Sequence, residues 1–466
     1  MLCKNNKERK GSVQPGFTLI EAMVVLFIFS IITITFYRTY SIGLKYITDS
    51  KDRLGAVALA NEKMEIIRNL NYDDIGTTTG AISGNIPSEE NVTENASSYV
   101  VDTTVQYVDD PFDGTYAAGT DSAPEDYKDV TVTVYWNNKQ ENVQVQSIFA
   151  PPGLEVNNPN DGILMVNVFS DQPGGVGIPD STVHVVNSDI GLDTTVQTDN
   201  TGHVVLMGNN IKNSIQNYQI TLTKPGYETV NTMPPYPSTP YNPVDVNASV
   251  VVGSTNVINI VQDQLADLAV DTTDYTGNTP VPNINFHITG GRILGNTPGD
   301  PTAGTLPQPV YNLDTDAQTD LSGEKDFSSI SPGQYTITLS PSETGYVLID
   351  TDPISPFSLF SNQNLAVKAK LANVNQTSLL VRVTKNDTGN PPLAGASVEL
   401  TNGAGYDQAV TASETGTAYF PVSSTDNLQP GIYTLKVTAN GYTENDSQVT
   451  INSNQLTQTA VSLSAS

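Results

Sequence analysis

The chain has 466 residues and a formal net charge of −28, with 21 Lys and Arg against 49 Asp and Glu. Such acidity repels nucleic acid and argues against direct nucleic-acid binding. The single cysteine, Cys3, cannot form a disulfide within the chain, and the length calls for about three or four domains held by ordinary cores.

The first segment is a basic leader, with Lys4, Lys7, Arg9 and Lys10, running into GSVQPGFTLIEAMVVLFIFSIITITFY at residues 11–37. From Phe17 to Tyr37 only Glu21 is charged, and this run can span a hydrocarbon core of ~30 Å at ~1.5 Å per residue. A carboxylate inside such a span costs about 2.5–3.5 kcal/mol on insertion scales, so Glu21 reads as functional and in need of a partner. A secretory signal peptide would close with a small-residue cleavage site; here Arg38, Thr39 and Tyr40 follow, so the apolar segment stays with the mature protein. The basic residues ahead of the span keep the leader on the cytoplasmic side.

The GFTLIE sequence at residues 16–21 resembles the start of the type IV pilin and type II secretion pseudopilin superfamily. The resemblance implies that a prepilin peptidase cuts between Gly16 and Phe17, removing the leader at 1–16, and methylates the new amine of Phe17. Glu21 would then pair with the Phe17 ammonium of a neighbouring subunit during assembly. The partners implied are prepilin peptidase, other pilins through a helix bundle, and the membrane before assembly. The precursor would be a single-pass protein of the inner or cytoplasmic membrane, and the mature form would lie in an extracellular filament or on the cell surface.

No proline occurs between Pro15 and Pro87, and Leu54, Val57, Met64 and Ile67 recur at helical spacing. One helix from Phe17 to about Leu70, on the order of 80 Å long, is predicted, with Gly43 and Gly55 as points of weakness. Residues 17–44 form its transmembrane and assembly part, and 45–154 a pilin head. ALANEKMEIIRNLNYDDI at 58–75 and YKDVTVTVYW at 127–136 resemble the helix end and a head strand of minor pilins. Val130, Val132 and Val134 alternate with polar residues, placing one side of that strand against the helix. PPGLEVNNPNDG at 151–162 reads as a hinge.

Three repeats follow, at 161–262, 263–373 and 374–466. Each carries an opening strand (GILMVNVFSD, LADLAVDTTD, TSLLVRVTKND), a second strand (IPDSTVHVV, VPNINFHIT, LAGASVELT), a turn and strand (TDNTGHVVL, TDLSGEKDF, ASETGTAYF), and a strand ending in Gly-Tyr (YQITLTKPGY, YTITLSPSETGY, YTLKVTANGY). The short Val/Ile/Thr/Tyr runs favour antiparallel sandwiches. The repeats resemble carboxypeptidase regulatory-like and Cna B-type domains, which are seven-stranded and transthyretin-like. The fold class expected is therefore an α+β pilin module, with a long N-terminal helix plus antiparallel sheet, followed by three all-β transthyretin-like sandwich domains. Tyr227, Tyr346 and Tyr442 are expected to pack at sheet ends behind a glycine of unusual backbone angle, with ligand binding as the rival reading.

Catalytic chemistry is hard to find. Resemblance to Cna B-type domains raises the question of a Lys-Asn isopeptide bond; Lys385 sits where the lysine belongs, but Lys436 stands where the family has an acid, so no such bond is expected. His184, His203 and His287 are scattered, and no nucleophile, metal or phosphate-loop motif appears. No enzyme activity, cofactor or metal is expected. The weak calcium candidates are Asp314, Asp316 and Asp320, whose spacing departs from an EF-hand and reads more simply as a solvated loop. The leading functional reading is a minor pilin of a type IV pilus-like filament, near the tip, whose sandwiches serve adhesion to a surface or glycan ligand. The alternatives are a pseudopilin of a type II secretion or DNA-uptake machine, and an anchored surface protein that never polymerises.

Overall fold

The computed structural model describes residues 19–110, 114, 125–152, 162–172, 174–299, 302, 304–423 and 425–466. The chain divides into two compact units, 1–157 and 158–466. Gly16, Phe17 and residues 153–161 of the expected hinge lie outside the described residues.

The first unit is built on helix α1 (Leu19–Arg68), which runs without interruption through Gly43 and Gly55. After a short 3-10 turn at Tyr72–Asp74 come four antiparallel strands, β1 (Glu89–Glu94), β2 (Ser97–Val108), β3 (Tyr127–Trp136) and β4 (Glu141–Phe149), in that spatial order. Val130, Val132 and Val134 are fully buried against the helix, as their alternation predicts. The helical stripe matches the expected one at Met64 and Ile67 and departs from it at Leu54 and Val57. Leu54 is 71% exposed and Val57 38%, whereas Ala56, Leu59, Ala60, Met64 and Ile67 form the buried face. Two alanines bring the helix close to the sheet, and their small side chains left the true stripe weakly marked beside the larger Leu54.

Gly55 has a packing reason rather than a bending one. A Cβ there would lie 2.3 Å from the Tyr99 hydroxyl, which donates a 3.1 Å hydrogen bond to the Asp52 carbonyl. The β1–β2 turn grips the same stretch of helix. Lys51 donates to the Asn95 carbonyl at 2.8 Å, and the Ser97 hydroxyl to the Asp52 carboxylate at 2.5 Å.

The second unit contains three pairs of sheets. Strands β5 (Gly162–Phe169), β6 (Thr182–Asn187), β7 (Leu192–Gln197), β8 (His203–Gly208), β9 (Ser214–Thr223), β10 (Val230–Asn231), β11 (Asn242–Pro243), β12 (Ala248–Val250) and β13 (Thr255–Val261) come first. Next are β14 (Ala266–Asp274), β15 (Asn285–Asn296), β16 (Pro309–Gln318), β17 (Glu324–Ile330), β18 (Gly333–Thr338), helix α2 (Pro341–Thr344), β19 (Tyr346–Asp352), β20 (Phe357–Leu359) and β21 (Asn364–Asn373). The last set is β22 (Ser378–Lys385), β23 (Ser397–Thr401), β24 (Asp407–Thr411), β25 (Thr417–Phe420), β26 (Gly431–Thr438), β27 (Asn445–Ile451) and β28 (Leu456–Leu463).

The sheets are β13-β5-β8 with β10-β9-β6-β7, then β17-β14-β21-β19 with β11-β15-β18-β20, then β25-β22-β28 with β24-β23-β26-β27; β12 joins β9 and β16 joins β15. These are not purely antiparallel sandwiches. In each repeat the opening strand pairs in parallel with the closing one: β5 with β13, β14 with β21, β22 with β28. Each repeat thereby closes on itself, since the first and last strands become neighbours. In the third repeat, Leu379, Val381 and Val383 of one sheet share a core with Val398, Leu400, Leu435 and Val437 of the other.

Candidate assembly segment and repeat surfaces

Along α1 the large apolar side chains from Leu19 to Ile47 are exposed almost without exception, among them Phe27, Phe29, Ile32 and Phe36. Several hydroxyls along this part of the helix find their partners within it. The hydroxyls of Ser30, Thr33, Thr35, Thr39 and Thr48 each donate to the carbonyl four residues back, at 2.7–3.1 Å. A helix is the solution that satisfies every backbone group internally in hydrocarbon, and here the side-chain hydroxyls follow suit. The helix is long and apolar enough to cross a membrane. Glu21 belongs to its first turns by backbone position.

Where the helix meets the head the chemistry changes. Lys128 on β3 is buried and donates to the carbonyls of Tyr72 at 2.8 Å and Ile75 at 2.9 Å, with its ammonium 4.4 Å from the centre of the Tyr72 ring. Burial pushes its pKa down, opposed by the nearby carboxylates of Asp73, Glu125 and Asp74. The same burial, reinforced by Glu125, raises the Tyr72 phenol to about 12. This lysine ties the chain leaving the helix to the sheet, a structural task that its sequence context did not mark.

The three repeats place their singled-out residues consistently. Gly226, Gly345 and Gly441, ahead of Tyr227, Tyr346 and Tyr442, have φ of 79°, 74° and 81°, the left-handed region that favours glycine. The tyrosines after them are half-buried; Tyr227 bridges to Gln264 and Tyr442 to Ala465. The more deeply anchored tyrosines are others. Tyr218, Tyr335 and Tyr433 are fully buried, and their hydroxyls donate to the carbonyls of Lys212, Ser331 and Gln429 at 2.6, 2.6 and 2.8 Å. Each stands in the repeated fourth strand, in YQITL, YTITL and YTLKV, so the repeat alignment contained the signal.

Asp320 holds a turn. Its carboxylate accepts the backbone N–H groups of Ser322 at 2.7 Å and Glu324 at 3.0 Å, which hold its pKa below the usual carboxylate range. Asp199 fills the same position in the first repeat, accepting from Thr201 and His203 at 2.8 Å each, and Ser413 fills it in the third. Asp314 and Asp316 lie on β16, on opposite sides of the His287 ring, 2.9 Å from Nε2 and 2.7 Å from Nδ1. Among the described residues no group of three or more acidic, His or Cys side chains is placed to hold a metal. The hydrogen bond to Asp316 raises the pKa of His287. Lys385 ends β22, half-buried, and Lys436 forms an outward ion pair with Glu444 at 3.2 Å.

Against this geometry, residues 12–37 match the prokaryotic N-terminal methylation motif. Residues 380–464 match a prealbumin-like fold domain, the region of the third sandwich. The chain is thus type IV pilin-like at its N-terminus, and its third sandwich is prealbumin-like. A comparison with curated proteins found no match. Among solved structures, similar chains include the Bacillus anthracis TIE protein, at 19% identity over 81% of this chain and 61% of that one, with a TM-score of 0.19. A streptococcal ancillary pilin is 12% identical over 66% of this chain and 99% of its own, with a TM-score of 0.20. BcpA, the major pilin subunit of Bacillus cereus, is 11% identical over 66% of this chain and 100% of its own, with a TM-score of 0.16. Scores this low establish no shared overall arrangement, and the chain spans about three fifths of the length of the Bacillus anthracis protein. The methylation motif implies processing by a prepilin peptidase and assembly with other pilins, and with the apolar helix it fits a membrane-anchored precursor that later becomes surface-exposed.

Proposed function

We propose that this chain is a minor pilin, placed near the tip of a type IV pilus-like filament, whose three sandwiches serve adhesion or surface interaction and carry out no catalysis. Prepilin peptidase cuts between Gly16 and Phe17 and methylates Phe17, and Glu21 meets the Phe17 ammonium of a neighbour in the helix bundle. Burying either charge alone in a low-dielectric bundle is strongly unfavourable, and burying both together fixes the register of the subunit. The observation that carries this reading is the methylation motif leading into a helix whose apolar side chains stay exposed over residues 19–47 while the hydroxyls of Ser30, Thr33 and Thr35 bond back to the helix's own carbonyls.

The size of the repeats favours the tip over the shaft, because small heads pack along a shaft more easily than a chain carrying three further sandwiches. Immunogold labelling of the third repeat on sheared filaments tests this. Label at filament ends is expected. Label spaced along shafts contradicts the tip placement, and label confined to membranes contradicts polymerisation.

A further inference from the structure

The first and second repeats are joined in a way that the second and third are not. Strand β11 lies in the sequence of the first repeat but pairs with β15 of the second, Asn242 opposite Asn296 and Pro243 opposite Gly295. The Val244 N–H continues the ladder to the Leu294 carbonyl at 3.0 Å. Gly295 is the residue that lets this strap approach, since a Cβ there would lie 2.3 Å from the Asn242 carbonyl oxygen and 2.4 Å from the Tyr241 ring.

Beside the strap, Arg292 of β15 reaches back into the first repeat. Its Nη1 donates to Glu228 at 2.6 Å and to the Val261 carbonyl at 3.0 Å, and its Nη2 to Asp245 at 2.8 Å. The side chains are 14%, 4% and 14% exposed for Arg292, Glu228 and Asp245. Glu228 also accepts the Asp263 N–H at 3.2 Å, and the Glu228 N–H donates to the Asp263 carbonyl at 2.9 Å, which stitches the connecting segment into the same cluster. A planar guanidinium held by two carboxylates and a carbonyl, away from water, is geometrically demanding and fails if either repeat moves.

The second junction has a different chemistry. Val347, Ile349 and Ala372 pack on Leu380, Tyr419 and Leu456, and Tyr275 lies against Tyr419 with ring centres 4.6 Å apart. Among the described residues no strand is shared across it and no ion pair crosses it. The connecting residue Val374 is tied to both sides, its N–H donating to the Gly345 carbonyl at 3.0 Å and its carbonyl accepting the Leu456 N–H at 2.9 Å. The rest of the contact is apolar, and apolar contact is non-directional and tolerates sliding where a shared ladder and a buried charge cluster do not.

We propose that the first two repeats form one cooperative, load-bearing unit closed by the β11 strap and the Arg292 clasp, and that the third repeat yields separately from it. The test is single-molecule pulling of the full-length protein in detergent micelles, held at its two ends. The wild type should release the first two repeats in one step of on the order of 200 residues, roughly 700 Å of chain at ~3.3–3.6 Å per residue, with the third repeat as a distinct step of less than half that length. Arg292→Ala should split the long step into two of about equal length. Because that variant leaves two carboxylates buried without a cation, the combination Arg292→Met, Glu228→Gln and Asp245→Asn, which keeps shape and removes charge, should fold and show the same split. Two separate steps in the wild type would overturn the single unit. An unsplit long step in the folded variants would overturn the clasp.

Discussion

Helix α1 is one element in two solvents. From Leu19 to Ile47 its apolar side chains point outward on all sides, and from Ala56 to Ile67 one face is buried against the sheet, chiefly β3 and β4 with β2 beside them. The first half, above all the run from Ala22 to Tyr37, which carries no charged residue, follows the rule for hydrocarbon, in which backbone groups are satisfied within the helix and apolar side chains face outward. The second follows the rule for water, in which one stripe packs and the rest stays polar. The exposed half is where assembly is proposed to take place, and the packed half is what holds the head to it.

Substitutions separate the two halves. The largest effect is expected in the first: Glu21→Ala should be processed normally and yet be almost lost from sheared filaments, while the head remains folded; wild-type amounts of the variant in filaments would show the charge to be dispensable. In the second half, Met64→Ala should destabilise the head by about 2–5 kcal/mol, as for a buried large-to-small change, whereas Leu54→Ala should stay within about 0.5 kcal/mol. Chemical denaturation of the two variants decides whether the buried stripe is the one seen here.

Glycine sharpens the comparison. Gly55→Ala should cost about 1–3 kcal/mol through overpacking on Tyr99 despite the gain in helix propensity, and Tyr99→Phe should relieve part of that cost. Gly43 has nothing within 4 Å, so Gly43→Ala should be neutral or slightly stabilising when both are compared by thermal denaturation.

The smallest effect belongs to the repeats. His287 has a raised pKa in the folded state, so its stabilisation is fully present below the unfolded value of about 6.5 and is lost as pH climbs through the folded value. The pair is exposed, and His287→Gln should therefore cost only about 0.2–1 kcal/mol at pH ~5.5 and close to nothing at pH ~8.5. Denaturation midpoints of wild type and variant at the two pH values check the sign; a larger difference at high pH would contradict it.

Much of the framework is legible in the sequence because it is periodic. The apolar run after Gly16, the alternation of Val130, Val132 and Val134, and the four recurring signals of the repeats all follow from helix or strand geometry. What escapes is chemistry that periodicity does not record. Ala56 and Ala60 mark a close approach by being small, so the sequence pattern puts Leu54 and Val57 on the stripe in their stead, although it places Met64 and Ile67 rightly. Strand patterns do not reveal the partner of a strand, so the parallel pairing of opening and closing strands was invisible. Asp320 reads from sequence as part of a solvated loop with calcium as a lesser candidate, and only beside Asp199 in the repeat alignment does its turn-holding role show. The Arg292 clasp joins residues 64 positions apart along the chain, and its only sequence signal is a rare cation in an acidic chain.

The most direct measurement is mass spectrometry of the N-terminal peptide of protein recovered from the cell surface. A mature chain beginning at Phe17 with one methyl group on its amine is the result predicted, because the proposed pairing of that amine with Glu21 depends on removal of the leader. A chain retaining residues 1–16, or one beginning beyond the apolar segment, would contradict assembly through this helix.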